Sequence, residues 1–191
     1  MKIDKNLILY HGSYTEVRTV DLRKCAPNKD FGQGFYLTSD REQAIKFVRS
    51  SVRKAVKNET LSSYQSYGYV SVFRLTEDCE EIPYYGFEAA NREWIWYVSQ
   101  NRRKDLIPFL ENRFDEELKR AEIISGKVAN DTTNPVIVNY ASGVFGPVED
   151  ERVIQAVTML LLPDKLKDQY CFKSERAVAC LQFLESIRYE C

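Results

Sequence analysis

Histidine is nearly missing from this chain: His11 is the single one among 191 residues. That scarcity excludes a zinc centre built on several histidines, a His-x-x-x-His pair on a helix and any histidine relay. A charge imbalance is missing as well. Lys and Arg number 27 against 28 Asp and Glu, a net charge of −1, so no global field draws the chain to nucleic acid. No apolar run reaches the roughly 18 residues that a membrane-spanning helix needs, and Met1-Lys2-Ile3-Asp4-Lys5 is too charged for a secretory leader. The five cysteines (Cys25, Cys79, Cys171, Cys180 and Cys191) are odd in number, widely spaced and without a Cys-x-x-Cys. Reduced, mostly buried thiols in a cytoplasmic protein with no membrane contact are the expectation. Repeats, low-complexity tracts and linker-like boundaries are absent too, so the length suits one domain over 1–191.

What the chain has is an ordinary core composition with many rings. Hydrophobic residues make up 44% and charged residues 29%, within the usual soluble range. Twelve Tyr and ten Phe could line a deep cleft as well as a core. Leu7-Ile8-Leu9-Tyr10 reads as a short buried strand closed by Gly12, and Phe35-Tyr36-Leu37 as a second strand. The long connection between them, residues 14–34, is of a length that tends to be functional. Ser39 and Glu42 form a capping box for an amphipathic helix over about 39–57.

Further on, Tyr69 to Leu75 reads as a strand with Ile82 to Tyr85 as its neighbour. Glu88 to Arg103 and Phe109 to Arg120 read as helical, and Glu122 to Ala129 as a strand ending in Asn130-Asp131-Thr132-Thr133 turn chemistry. Residues 149–162 read as a helix stopped by Pro163. Gln169 to Phe172 forms a late strand, and Ser174 caps a last helix through Leu181, Leu184 and Ile187. The fold class is α+β.

Three segments could carry chemistry. His11-Gly12-Ser13 ends the first strand and offers an imidazole, close backbone access and a hydroxyl. Asp30-Phe31-Gly32-Gln33-Gly34-Phe35-Tyr36-Leu37-Thr38 puts an aromatic ring behind two glycines that let another surface approach. Asp168-Gln169-Tyr170-Cys171-Phe172 opens a late strand. Each residue type also has a plain structural role, as a strand-end histidine, a core tyrosine or a solvated glutamine. Cys171 could meet His11 as a nucleophile pair, although nothing local favours it. Glu149, Asp150 and Glu151 suit a helix start, and Trp94 suits a core. Arg102-Arg103-Lys104 and the helix bearing Lys46, Arg49, Arg53, Lys54 and Lys57 suit solvated faces or a phosphate contact.

The order of these segments resembles the ADP-ribosyltransferase superfamily, and within it a bacterial toxin-like family often encoded beside small antitoxin-like partners. Glu93-Trp94 and Ser125-Gly126-Lys127-Val128-Ala129-Asn130-Asp131 extend the match, which spans nearly the whole chain. The resemblance implies split β-sheets with flanking helices and NAD as a substrate held bent in a cleft. His11 would bind the adenosine ribose, and the Gly12 backbone with Ser13 would hold the carboxamide. Tyr36 would stack on nicotinamide, and Gln169 would hold the nicotinamide ribose. No metal is implied. The activity implied is mono-ADP-ribosyl transfer to a macromolecular acceptor, protein or nucleic acid.

One departure stands out. The superfamily usually has a glutamate where Gln169 stands, and a neutral amide can position a ribose but cannot take a proton from a nucleophile. The alternative is therefore a catalytically silent module of the same fold that binds NAD or a partner.

Overall fold

The computed structural model describes residues 3–61, 65–106, 110–129, 133–161 and 167–191. Its strands form two sheets. In the first, β1 (Ile8–Ser13), β3 (Tyr67–Leu75) and β7 (Leu181–Glu190) run in the order β1-β3-β7, all antiparallel. In the second, β2 (Phe35–Leu37), β4 (Tyr84–Gly86), β5 (Ile123–Lys127) and β6 (Asp168–Phe172) take the order β2-β6-β5-β4. Only β4 and β5 run parallel.

Period-two patterning decides which side chains meet. Ile123, Phe172, Phe35 and Leu37 leave one face of the second sheet and pack with Leu9, Phe73 and Leu75 of the first, making the core between the sheets. Ile124, Cys171 and Tyr36 leave the opposite face and meet the helical layer. That layer holds α2 (Arg92–Arg102), α4 (Asn134–Ala141) and α5 (Glu151–Leu160), with Trp94, Ile95, Val98, Tyr140 and Val157 buried in it. On the outer side of the first sheet, α1 (Arg41–Lys57) lays Ala44, Val48 and Val52 on Val70. Two shorter helices, α3 (Glu116–Arg120) and α6 (Glu175–Ala179), complete the set among the described residues.

Several expectations need correction. The helix expected after Ser174 stops at Ala179, and the next ten residues after Cys180 are strand β7. Leu181 and Phe183 reach the inter-sheet core at a spacing of two, and pairing along β3 satisfies the backbone, so ladder formation overrides the helical spacing of Leu181, Leu184 and Ile187. Residues Tyr84–Gly86 join the second sheet beside β5 and are not neighbours of β3. Helix α1 is capped by Asp40, whose carboxylate accepts from Gln43 N at 3.1 Å, one residue beyond the expected Ser39. Helix α2 begins at Arg92 under an Asn91 cap, so 88–90 are not helical. Helix α4 had no counterpart among the expectations. Asn130, Asp131, Thr132 and Pro163 lie outside the described residues.

Candidate functional site

The two sheets touch through one bridge, at Tyr10 and Thr38, whose main chains exchange hydrogen bonds of 2.8 and 3.0 Å. Continued by two residues, that register would set Gly12 opposite Tyr36. The ladder does not continue there among the described residues. Main-chain groups alternate sides along a strand, so the N–H and C=O of Gly12 point the same way as those of Tyr10, into the fork that opens beyond the bridge. Gly12 is fixed for a second reason: a Cβ there would lie 2.0 Å from the Ala44 carbonyl oxygen, so α1 packs against bare backbone.

His11 stands beside this fork. Its ring lies over Phe35, with centroids 4.5 Å apart, and its Nδ1 is 2.8 Å from the Tyr36 carbonyl oxygen. A carbonyl only accepts, so Nδ1 carries the proton and donates. Burial lowers the His11 pKa, only partly offset by that bond, so the ring is neutral at pH 7 and Nε2 is an acceptor. Ser13, at the end of β1, is buried, and its hydroxyl accepts weakly from Thr15 N at 3.4 Å.

Tyr36 sits on the opposite face of β2 from Phe35, across from Cys171. Its hydroxyl donates to the Gly32 carbonyl at 2.8 Å and accepts from Phe31 N at 2.9 Å, which folds the 30–34 turn over the ring. Phe31 lies roughly parallel to it, with centroids 6.4 Å apart. The turn approaches the sheet closely because Gly34 has no side chain: a Cβ there would lie 2.5 Å from Cys171 Sγ. The close approach expected at these glycines is therefore made by the protein itself, by strand β6 at Gly34 and by Asn101 of α2 at Gly32. Burial, with Cys171 and Asp30 nearby, holds the Tyr36 hydroxyl far above its ordinary pKa.

Gln169 is buried and shares the sheet face of Tyr36 and Cys171. Its Nε2 donates to Asp30 Oδ2 at 2.7 Å and approaches the Lys127 carbonyl at 3.3 Å. Asp30 is the residue that sequence reading missed. It is itself buried, its Oδ2 also accepts from Ala129 N at 2.9 Å, and its Oδ1 accepts from Arg102 Nε at 3.0 Å and from Arg102 Nη2. Arg102 reaches on to Asn134 and the Ala129 carbonyl. The turn before β2, the end of α2, the residue two past β5 and the start of β6 therefore meet at one carboxylate, and Arg102 ties in the start of α4. The faint signal was an acidic residue heading an otherwise apolar and glycine-rich stretch.

Residues 30–36 thus join two groups: His11 and the Tyr10–Gly12 strand meet the main chain of β2, while the Tyr36 ring and Gln169 leave the opposite face of the second sheet and gather at Asp30. Cys171 does not join His11. Cys171 faces the helical layer, His11 rests on Phe35 on the other face, and burial pushes the Cys171 thiol up to about 12. A Cys–His nucleophile pair is therefore ruled out by position and by protonation. Arg102 is spent in an ion pair and Arg103 binds Asp105, so that stretch offers no free phosphate contact through either arginine. Lys46, Arg49, Arg53, Lys54 and Lys57 lie along α1, on the helix that covers the first sheet. Asp150 caps α5, while Glu149 and Glu151 pair with Arg113 and Arg92. Trp94 is fully buried, its Nε1 donating to the Lys127 carbonyl at 3.0 Å. Glu93 accepts from the Tyr85 hydroxyl at 2.6 Å. No helix among the described residues is long and apolar enough to cross a membrane.

These features define a mixed α/β protein whose two sheets meet at one bridge and fork beside a buried polar hub. The chain belongs to the family described as "Protein of unknown function (DUF3990)", whose profile matches residues 7–183. Comparison with the curated proteins and with the solved structures found no significant match.

Proposed function

We propose that this chain is an NAD-dependent mono-ADP-ribosyltransferase with ADP-ribosyltransferase-like split sheets over one domain, acting in the bacterial cytoplasm as the toxin of a toxin–antitoxin pair. The observation that carries the reading is the fork between β1 and β2. There the backbone of Gly12, a neutral His11 and the Tyr36 strand stand together, with Gln169 beside Tyr36's turn. Each group has the hydrogen-bonding character the substrate needs. His11 Nε2 accepts from a ribose hydroxyl, and the Gly12 N–H and C=O match the carbonyl and amino groups of a carboxamide, with Ser13 supporting that end. Tyr36 offers a ring to nicotinamide, a contact worth about 0.5–1.5 kcal/mol beyond its burial.

In the reaction the bond between nicotinamide nitrogen and ribose C1″ breaks and its electron pair stays on nitrogen. The pyridinium therefore leaves neutral and needs no proton from the protein. Positive charge develops on the ribose, and an electron pair of the macromolecular acceptor, protein or nucleic acid, forms the new bond to C1″. Any proton on that acceptor must go elsewhere, because all four hydrogen bonds to Asp30 are internal and Gln169 is an amide.

The test is calorimetric titration of the folded protein with NAD, followed by nicotinamide release with cell extract as acceptor. Micromolar to millimolar binding, lost in Tyr36→Ala, is expected. Folded protein that does not bind NAD would sink the proposal. Binding without nicotinamide release would favour the silent module, the reading that Gln169 in place of glutamate motivates.

A further inference from the structure

We infer that Asp30, held by Arg102, is a positioning residue that orients the Gln169 side chain so that its carbonyl oxygen, and not its NH2, is presented to the ribose. The inference rests on the NAD reading above for the ligand, but not for the contact itself. The O and N ends of a glutamine amide have nearly the same shape, so only neighbours decide which way it points. Two groups that Nε2 bonds, the Asp30 carboxylate at 2.7 Å and the Lys127 carbonyl at 3.3 Å, can only accept. The amide is thereby locked with Nε2 inward. Among the described residues Oε1 has no hydrogen-bond partner.

This arrangement bears on the missing glutamate. Toward a ribose hydroxyl an amide oxygen plays the same acceptor role as a carboxylate oxygen. Donation from Nε2 to an anion draws electron density onto Oε1 and strengthens it as an acceptor. The negative charge stands one hydrogen bond behind the contact atom, and Arg102 balances it. Restoring the glutamate by Gln169→Glu would then be harmful, because it sets two carboxylates at hydrogen-bonding distance with no proton between them at neutral pH. Asp30→Asn would weaken the lock, because a single neutral amide oxygen replaces the carboxylate that now accepts from Ala129, Arg102 and Gln169.

Two measurements on the full chain test this. In nitrogen-edited NMR the Gln169 side-chain NH2, assigned by its loss in Gln169→Met, should be shifted and slow to exchange, and Asp30→Asn should reduce both properties. In NAD calorimetry at pH 7.5, Asp30→Asn and Gln169→Glu should each weaken binding about tenfold, the scale of one hydrogen bond. The double variant Asp30→Asn/Gln169→Glu should recover part of that loss, since it leaves a single carboxylate at the contact and removes the repulsion between two. A fast-exchanging Gln169 amide in a wild type that binds NAD would overturn this inference alone, as would Gln169→Glu binding as tightly as wild type. A protected amide without NAD binding would instead overturn the NAD reading, and with it the ribose contact. If Asp30→Asn does not fold, the wild-type amide signal and Gln169→Glu still decide.

Discussion

Arg102→Met is the sharpest probe of the hub. The Arg102 side chain is 18% exposed and that of Asp30 8%, so the ion pair is largely withdrawn from water. Removing one partner of a buried pair costs roughly 3–5 kcal/mol, mostly because the other charge is left uncompensated. Two observations pull the figure to the lower end. Asp30 Oδ2 keeps Ala129 N at 2.9 Å and Gln169 Nε2 at 2.7 Å, and the vacated arginine path admits water. About 3 kcal/mol is expected, and at about 2–4 °C per kcal/mol for a chain of this size the melting temperature should fall by roughly 6–12 °C. Thermal unfolding followed by circular dichroism at pH 7 measures it. Adding Asp30→Asn to Arg102→Met removes the stranded charge, so the double variant should be more stable than the sum of the single losses. A fall below about 2 °C, or strict additivity, would refute the buried, coupled hub.

Two further outcomes follow from protonation. The folded-state pKa of His11 is depressed from the ordinary 6.5 by burial. Full stability is therefore present above about 6.5, and as pH falls below it the unfolded chain takes up a proton that the folded ring resists. The melting temperature should drop from pH 7.5 toward 5.5, and His11→Asn, which keeps a donor for the Tyr36 carbonyl, should flatten that segment; an unchanged slope would count against the neutral ring. Brief native treatment with iodoacetamide should modify exposed Cys191 and spare buried Cys171, whose thiol is pushed up to about 12. Early modification of Cys171, read by peptide mass spectrometry, would reopen the Cys171–His11 nucleophile pair.

Much of the scaffold was legible in local sequence, and the hub was not. Apolar runs marked β1 and β2, and the helical spacing of Ala44, Val48 and Val52 marked α1. The stretch after Ser174 was ambiguous because Leu181, Leu184 and Ile187 fit a helix while Leu181 and Phe183 fit a strand. Only pairing with β3, more than a hundred residues earlier, settles it. Asp30 was hidden for the same reason: its partners Arg102, Ala129 and Gln169 lie 72, 99 and 139 residues away. Local pattern reports which face of an element is buried, but it carries nothing about a polar contact closed by tertiary packing.

The protonation states at the site constrain the chemistry more than the residue types do. A proton shuttle works best with a pKa near the operating pH, yet burial pushes His11 below its ordinary value and its Nδ1 proton is committed to the Tyr36 carbonyl. Asp30 accepts four internal hydrogen bonds, and Tyr36 and Cys171 are held protonated. Neither His11, Tyr36 nor Cys171 is poised to give or take a proton at pH 7, and both Asp30 oxygens are already engaged by internal donors. What they can offer is orientation, an acceptor at Nε2 of His11 and another at Oε1 of Gln169. Such a site suits a reaction whose leaving group departs without being protonated, and nicotinamide leaving a pyridinium–ribose bond is one. It also favours an acceptor that arrives already deprotonated, so an anionic carboxylate or phosphate should outcompete a neutral alcohol of similar size. Nicotinamide release compared across such acceptors, with a neutral alcohol reacting faster as the refuting result, would decide whether the proton is truly not the protein's task.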